Sequence, residues 1–499
     1  MKSNETSTSS NNKKTLGLTG VTLYAMTLVS SGAFVWAILP LQLSVNWGMG
    51  SMDIWPGVLL ALIVALITVV SLSELVQRFP LAGTRSTFHF AQNVFEEIGS
   101  EKTAKGLRIF KLFTSWVTHL YYWVYPGVLV AFLTILMDFL LRQFGYEPTW
   151  FGLVIMAAGF SAFIGFLALH GISGSASSSM VVNILQIIIL SVFSILALVY
   201  RFGNPDQLAA DTWLFHNIMD IIRPDSIPQI IIQGGIAFFL VSGFETTAAL
   251  SIYSISPSKE FSRGTLIGLL VQGLLLYLLQ YFMISIILNQ TIAGYQEFGN
   301  GNLAGLLQGL TTQLGDRLLW GNGFAFMLLV LSVVIISIMA ASLTALNNGV
   351  RVGFAMALDD QMPGFMEKLH PKYATPYVAV VGISIFSSII GAAGAIGGLE
   401  VLLGITLAAN MGAFVLFAII DILSIIPTHW YDPGATKVIK GLIGAIINLG
   451  MVVGIVWFGL QGGATISHAV QIALGLAVFW LAVTVILALI PEKQKENSL

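Results

Sequence analysis

Gln233-Gly-Gly-Ile-Ala-Phe-Phe-Leu-Val-Ser-Gly-Phe-Glu-Thr-Thr-Ala-Ala-Leu250 is hydrophobic enough to cross a membrane, yet its centre holds Ser242, Gly243 and a carboxylate, Glu245. A straight helix facing lipid has no use for these residues, because Gly weakens a helix and an ionised side chain in hydrocarbon costs several kcal/mol. The stretch is consistent if the helix breaks at Ser242-Gly243. A broken helix buried among others leaves backbone N–H and C=O groups free around a cavity at mid-depth, which is how secondary transporters build a substrate site. The first apolar run, Leu18 to Leu43, carries the same device. Within it Leu28-Val-Ser-Ser-Gly-Ala-Phe34 sets Ser31-Gly32 ahead of Phe34, as Ser242-Gly243 stands ahead of Phe244. Two Gly-interrupted spans at matching places in two halves point to an inverted repeat.

The rest of the chain agrees with a membrane setting. Of 499 residues 56% are hydrophobic and 9% charged, and the mean hydropathy is +0.87; a soluble domain is about a quarter charged. The chain reads as an all-α polytopic membrane protein. Its net charge of -2 says nothing about partners, and neither nucleic-acid binding nor a polybasic lipid site has a basic cluster to rest on. With no cysteine, disulfides, thiolate metal sites, Cys nucleophiles and palmitoylation are excluded. The Ser/Asn/Thr/Lys-rich stretch Met1 to Lys14 reads as a solvated tail. The apolar run behind it exceeds a signal-peptide core and has no small-x-small cleavage site, so it is expected to persist as a span.

Requiring about 20 apolar residues per span and dividing at charged and Pro/Gly-rich stretches predicts twelve transmembrane helices. Their cores are 19–44, 55–77, 112–140, 150–169, 177–200, 228–255, 264–289, 322–350, 377–396, 400–424, 441–461 and 467–490. With the N-terminus inside, 18 of the 22 Lys and Arg fall in inner segments. That asymmetry is the positive-inside pattern, and it places both termini in the cytoplasm of a cell (inner or plasma) membrane protein. Three loops stand out. Pro80 to Lys111 includes Phe88-His-Phe-Ala-Gln-Asn-Val-Phe95, either an amphipathic helix partly embedded in the membrane or an ordinary connector. Arg351 to Pro376 is polar and punctuated by proline, and Gln290 to Trp320 is Gly/Asn-rich with a short helix expected over Leu303–Leu314, capping an outer vestibule.

Four motifs carry a family likeness. Ser30-Ser-Gly-Ala-Phe34 resembles the Gly-Ser-Gly-Ile-Phe signature of the amino acid–polyamine–organocation superfamily, in its amino acid permease branch. Ser73-Glu-Leu-Val-Gln-Arg-Phe-Pro-Leu-Ala-Gly83 is similar to that family's Glu-Leu, Phe-Pro-x-Ala-Gly-Gly exit from the second helix. Ser242-Gly-Phe-Glu245 matches Gly-Phe-Glu of the sixth helix. Arg351-Val-Gly-Phe-Ala-Met-Ala357, Met362-Pro363 and His370-Pro-Lys-Tyr-Ala-Thr-Pro376 are similar to the eighth-helix exit. The chain departs from the pattern at Ser30, at Thr84 and at Pro257-Ser-Lys259, where an acidic pair is often seen. The resemblance implies a LeuT-type five-plus-five inverted repeat with helices 1 and 6 broken. It divides the chain into a tail (1–18), a first repeat (19–200), an outer loop (201–227), a second repeat (228–424), peripheral spans 11 and 12 (425–490) and a second tail (491–499). It also implies alternating-access transport of amino acids or related small amines, with no cofactor.

Site residues follow from the breaks. Ser31, Gly32 and Ala33 are small enough to leave N–H groups open at a half-helix N-terminus, which attracts a substrate carboxylate; close helix packing is the other use for small residues. The carbonyls of Leu28 and Val29 would take the ammonium group. In span six, Ser242 and Gly243 supply backbone groups. Phe239, one turn earlier, stands where the resembling transporters place an aromatic lid, or is a packing Phe. Glu245 is the one acidic residue in the middle of a span, either a coupling and gating group or a cap for the second half-helix. His119 and Tyr122 lie on a polar-aromatic face, Trp116 to Tyr125, that suits a cavity wall, although a lone histidine near a helix end is more often structural. The fifth span, Ser177 to Tyr200, lacks the lysine that some relatives use as a proton shuttle and has Gln186 near the matching place. Coupling is therefore to a proton at Glu245, or to sodium held by span-one carbonyls with Ser342 and Thr344, or transport is pure exchange; no other metal is expected, and the oligomeric state is left open. Enzymes are excluded, since no Gly-x-Ser-x-Gly elbow, phosphate loop or His-Glu-x-x-His occurs and the seven histidines lack ligand spacing. A channel or a non-transporting amino-acid sensor is the rival class; a channel would carry a repeated filter or charged ring.

Overall fold

The computed structural model describes residues 17–28, 34–46, 53–85, 87–98, 104–170, 176–203, 223–253, 260–287, 312 and 315–489. Their backbone is almost wholly helical, as hydrocarbon requires of a chain that cannot leave N–H and C=O groups unpaired. The helices are α1 (Leu18–Leu28), α2 (Phe34–Asn46), α3 (Ile54–Arg78), α4 (Pro80–Arg85), α5 (Phe88–Ile98), α6 (Ala104–Gln143), α7 (Trp150–Leu169) and α8 (Ala176–Gly203). There follow α9 (Ile227–Val241), a 3-10 helix (Phe244–Tyr253), α10 (Ser262–Ile287), α11 (Gly323–Leu358), α12 (Tyr377–Ile396), α13 (Gly398–Ile425), α14 (Gly434–Gln461) and α15 (Ala464–Leu489).

Helix lengths repeat in order across the two halves. The 25 residues of α3 answer to 26 in α10, the 40 of α6 to 36 in α11, the 20 of α7 to 20 in α12, and the 28 of α8 to 28 in α13. That register leaves α1 and α2 to correspond to α9 and the 3-10 helix. Eleven helices among the described residues are long and apolar enough to span a membrane, one fewer than predicted. The first run accounts for the difference. Its two helices, of 11 and 13 residues, reach roughly 16 and 20 Å at 1.5 Å per residue, each short of a hydrocarbon core about 30 Å thick.

Two boundaries also move. α11 runs to Leu358, beyond the predicted end at 350, and no proline intervenes before Pro363. α6 starts at Ala104, ahead of 112. Phe88–Ile98 forms a helix, burying Phe88, Phe90, Ala91 and Val94 on one face. The expected helix over Leu303–Leu314 lies almost wholly outside the described residues.

Burial orders the spans. α13 is buried along nearly its whole length, enclosed by α6, α3, α14 and α15. By contrast α7 turns Trp150, Phe151, Ile155, Phe163 and Phe166 outward, an apolar face suited to lipid. The α3–α9 crossing is tight at Gly57, where a Cβ would lie 2.5 Å from that of Gln233; small residues let helix backbones approach in this way.

Candidate functional site

The break in span six is present where the sequence placed it. α9 ends at Val241, Ser242 is extended (φ -70, ψ 160), and Gly243 has φ 100. Glycine has no Cβ to clash in that left-handed region, so the chain turns there without strain. The 3-10 helix then begins at Phe244. Thr246 closes on the Gly243 carbonyl at 2.6 Å and Thr247 on that of Phe244 at 2.5 Å, so hydroxyls take up acceptors that a continuing α-helix would have paired.

Glu245 is 1% exposed and is held from two sides. Its Oε2 accepts from the Gly243 N–H at 3.1 Å, across the break. Its Oε1 accepts from the hydroxyls of Tyr121 and Tyr122, both at 3.1 Å, on α6. The carboxylate thus joins the backbone at the break to two tyrosines of α6. One turn along α6, Tyr125 lies 2.9 Å from the Ser242 hydroxyl, which itself donates to the Phe239 carbonyl at 3.0 Å. Phe239 is fully buried and stacks on Tyr125, with ring centres 4.4 Å apart and planes at 19°. Pro126 follows directly in α6 and removes the N–H that would pair with the Tyr122 carbonyl.

His119 is not brought to this cluster. It faces the other side of α6, accepting from Trp480 of α15 at 3.0 Å and stacking on Trp123 at 4.2 Å. The helical period accounts for the split: residues 116, 119 and 123 share one face, and 121, 122 and 125 share the opposite one. Ser342 and Thr344 of α11 each donate to their own helix, to the Ile338 and Ala340 carbonyls at 2.7 and 3.1 Å. Leu28 is the last residue of α1, which packs against the 3-10 helix; Val29, Ser31, Gly32 and Ala33 lie outside the described residues. Gln186 donates to Asn183 at 2.5 Å, and Asn183 reaches the Met26 carbonyl of α1 at 3.5 Å, so the fifth span meets the first through amides.

Sequence reasoning passed over Tyr121, Tyr125 and Asn183. The i, i+4 spacing of Tyr121 and Tyr125 on one helix face was the available signal. Among the described residues no group of three or more His, Cys, Asp or Glu could hold a metal ion.

A helix broken at mid-span, pinned by a buried carboxylate to an unbroken neighbour, is the framework of a membrane permease built on an inverted repeat. The chain belongs to the amino acid permease family, whose model matches residues 14–489, and so to multi-pass membrane permeases and not to enzymes. It is 26% identical over 328 residues to the branched-chain amino acid permease BcaP of Bacillus subtilis (strain 168), covering 64% of this chain and 61% of that one. It is 22% identical over 430 residues to the low-affinity putrescine importer PlaP of Escherichia coli (strain K12), covering 83% of each. It is 25% identical over 322 residues to the methylthioribose transporter of Bacillus subtilis (strain 168), covering 62% of this chain and 60% of that one. The match thus spans less than two thirds of the length of both Bacillus proteins. Among solved structures, the Eremococcus coleocola manganese transporter superposes with a TM-score of 0.53 at 12% identity, covering 94% of each chain, which shows a common fold of the LeuT type.

Proposed function

We propose that the chain is a secondary active transporter of amino acids or related small amines, working by alternating access, with both termini in the cytoplasm of a cell membrane. The substrate would sit between the two breaks. Its carboxylate would meet the N–H groups around Ser31, Gly32 and Ala33 at the start of α2, and its ammonium group the carbonyls of Leu28 and Val29, with Ser242, Gly243 and Phe239 opposite. The observation that carries this reading is the double attachment of Glu245. One carboxylate oxygen holds the backbone at Gly243 and the other holds Tyr121 and Tyr122 on α6. A change in its charge or in the local backbone therefore alters how the moving break is tied to the rest of the bundle. Relatives named for branched-chain amino acids and for putrescine support this substrate class.

Coupling to a proton through Glu245 is favoured, because that carboxylate adjoins the break and the fifth span has no Lys, Arg or His between Ser177 and Tyr200. Sodium coupling through Ser342 and Thr344 is the second reading, since both hydroxyl oxygens keep lone pairs beyond the bond each donates. Uptake of a panel of labelled amino acids and diamines into proteoliposomes, with and without sodium, tests the assignment. Glu245→Gln is expected to flatten the pH dependence of uptake in sodium-free buffer. A wild type inactive without sodium, or a mutant with an unchanged pH profile, rejects the proton role.

A further inference from the structure

A second buried carboxylate takes no part in the span-six site. Asp421 of α13 is 0% exposed, close to a helix end but covered by α3 and α14. Asn448 of α14 donates from Nδ2 to Asp421 Oδ2 at 2.9 Å, and the same nitrogen is 3.1 Å from Thr68 Oγ1 of α3 and 3.1 Å from the Gly444 carbonyl. Two amide hydrogens thus face three acceptors. The Thr68 hydroxyl proton is already given to the Val64 carbonyl. Ser71 of α3 faces the carboxyl, and Oδ1 of Asp421 and Oδ1 of Asn448, both on fully buried residues, have no hydrogen-bond partner. The carboxyl fits because position 444 is glycine: a Cβ there would lie 2.6 Å from Oδ2 and 2.8 Å from Oδ1.

No positive side chain reaches this cage among the described residues. From α3 it is met by Thr68 and Ser71 and from α14 by Gly444 and Asn448, all uncharged. The charged groups farther along are engaged elsewhere: Glu74 with Lys437 at 2.7 Å, Arg78 with Glu97 at 3.4 Å, Lys111 with Asp359, and Glu400 with His468. Lys440 is exposed, Glu96 is bonded to Gln92, His119 to Trp480, and His89 lies on α5. An uncompensated negative charge in hydrocarbon costs more than two neutral donors return, and each orphaned buried oxygen adds to that cost.

We propose that Asp421 is a binding site for one small monovalent cation, a proton or a sodium ion, separate from the site at the span-six break. The two unpartnered Oδ1 atoms with the Ser71 and Thr68 hydroxyls are hard oxygen donors of the kind sodium accepts, and the carboxyl alone suffices for a proton. The proposal does not depend on the substrate assigned to the breaks. Bound charge would set how firmly α14 is fastened to α13 and α3.

The purified protein in nanodiscs tests this by thermal unfolding, without substrate, across pH at low and high sodium with choline as replacement. A ligand of the folded state raises Tm with its concentration. A rise of a few degrees with sodium at constant pH identifies sodium; a rise on acidification in choline identifies the proton. Asp421→Asn, of nearly the same shape, is expected to abolish whichever shift the wild type shows, while Glu245→Gln retains it. If Asp421→Asn does not fold, Asn448→Leu decides, and is expected to at least halve the shift. A wild-type Tm indifferent to both ions overturns the proposal. So does a shift that persists in Asp421→Asn, or one unchanged in Asn448→Leu, or one lost in Glu245→Gln instead.

Discussion

Removing the hydroxyls of Tyr121 and Tyr122 isolates the tie between α6 and the broken span, because Tyr→Phe preserves ring, volume and rotamer. Both hydroxyls donate to one oxygen, Glu245 Oε1, at 3.1 Å. A hydrogen bond to a charged group contributes about 1.5–3 kcal/mol, roughly a 10- to 150-fold change in an equilibrium. A single Phe leaves Oε1 with one donor and is expected at the low end of that range. The double mutant leaves a buried carboxylate oxygen bare, so its effect should exceed the sum of the two singles, as expected for partners in one network. The chain offers a clean assay, since it has no cysteine of its own. Thr246→Cys, at a site 6% exposed in the wild type, would be the only thiol, and its maleimide modification rate reports how often the break opens to water. The rate should rise about tenfold with either single mutation and by more than about a hundredfold with both, and saturating substrate should slow it. Rates within twofold of the parent in all three variants would refute the idea that this carboxylate ties the break to α6.

Further outcomes follow from the same geometry. Phe239→Ala should weaken apparent substrate affinity more than Phe239→Trp does, because the stack on Tyr125 at 4.4 Å survives only with an aromatic ring; equal uptake kinetics in both would assign Phe239 to packing alone. Gly243→Ala forces a Cβ into φ 100, which costs about 1–2 kcal/mol, and should lower both Tm and uptake where Ser242→Ala lowers chiefly uptake. Gly32→Leu should abolish uptake with membrane expression intact, since the bulk falls on backbone expected to meet substrate; normal transport by that variant would move the substrate away from the first break.

The spans and the break were legible because the membrane imposes simple rules. Apolar length fixes where a helix can cross: seven of the twelve predicted cores lie wholly inside one helix, three more (264–289, 322–350 and 467–490) differ from their helix by one or two positions at an end, and 228–255 takes in α9, the break and the 3-10 helix. Ser242-Gly243 was legible because glycine and a carboxylate contradict their apolar surroundings, and the backbone does turn there at φ 100. Partners were not legible in the same way. Tyr121 and Glu245 are 124 positions apart, and in a chain with 32 Phe, 13 Tyr and 11 Trp nothing local separates an aromatic residue that bonds from one that packs. His119 shows the converse: the same polar-aromatic stretch named it, and only the position of α15 decides that it answers to Trp480.

Asp421 shows where counting along a span misleads. Four residues from the end of α13, it belongs by sequence among the carboxylates near span ends, as Glu74 and Glu400 do. Those two reach Lys437 and His468 with 23% and 43% of their side chains exposed, whereas Asp421 is fully buried. The difference comes from α14, which crosses α13 at Gly441 and Gly444 closely enough that any side chain at either position would strike Asp421 or its neighbours. Depth in a membrane protein is thus set by which helix covers a residue as much as by its distance from a span end, and the covering helix here is marked by the glycines of its own crossing, Gly441 and Gly444.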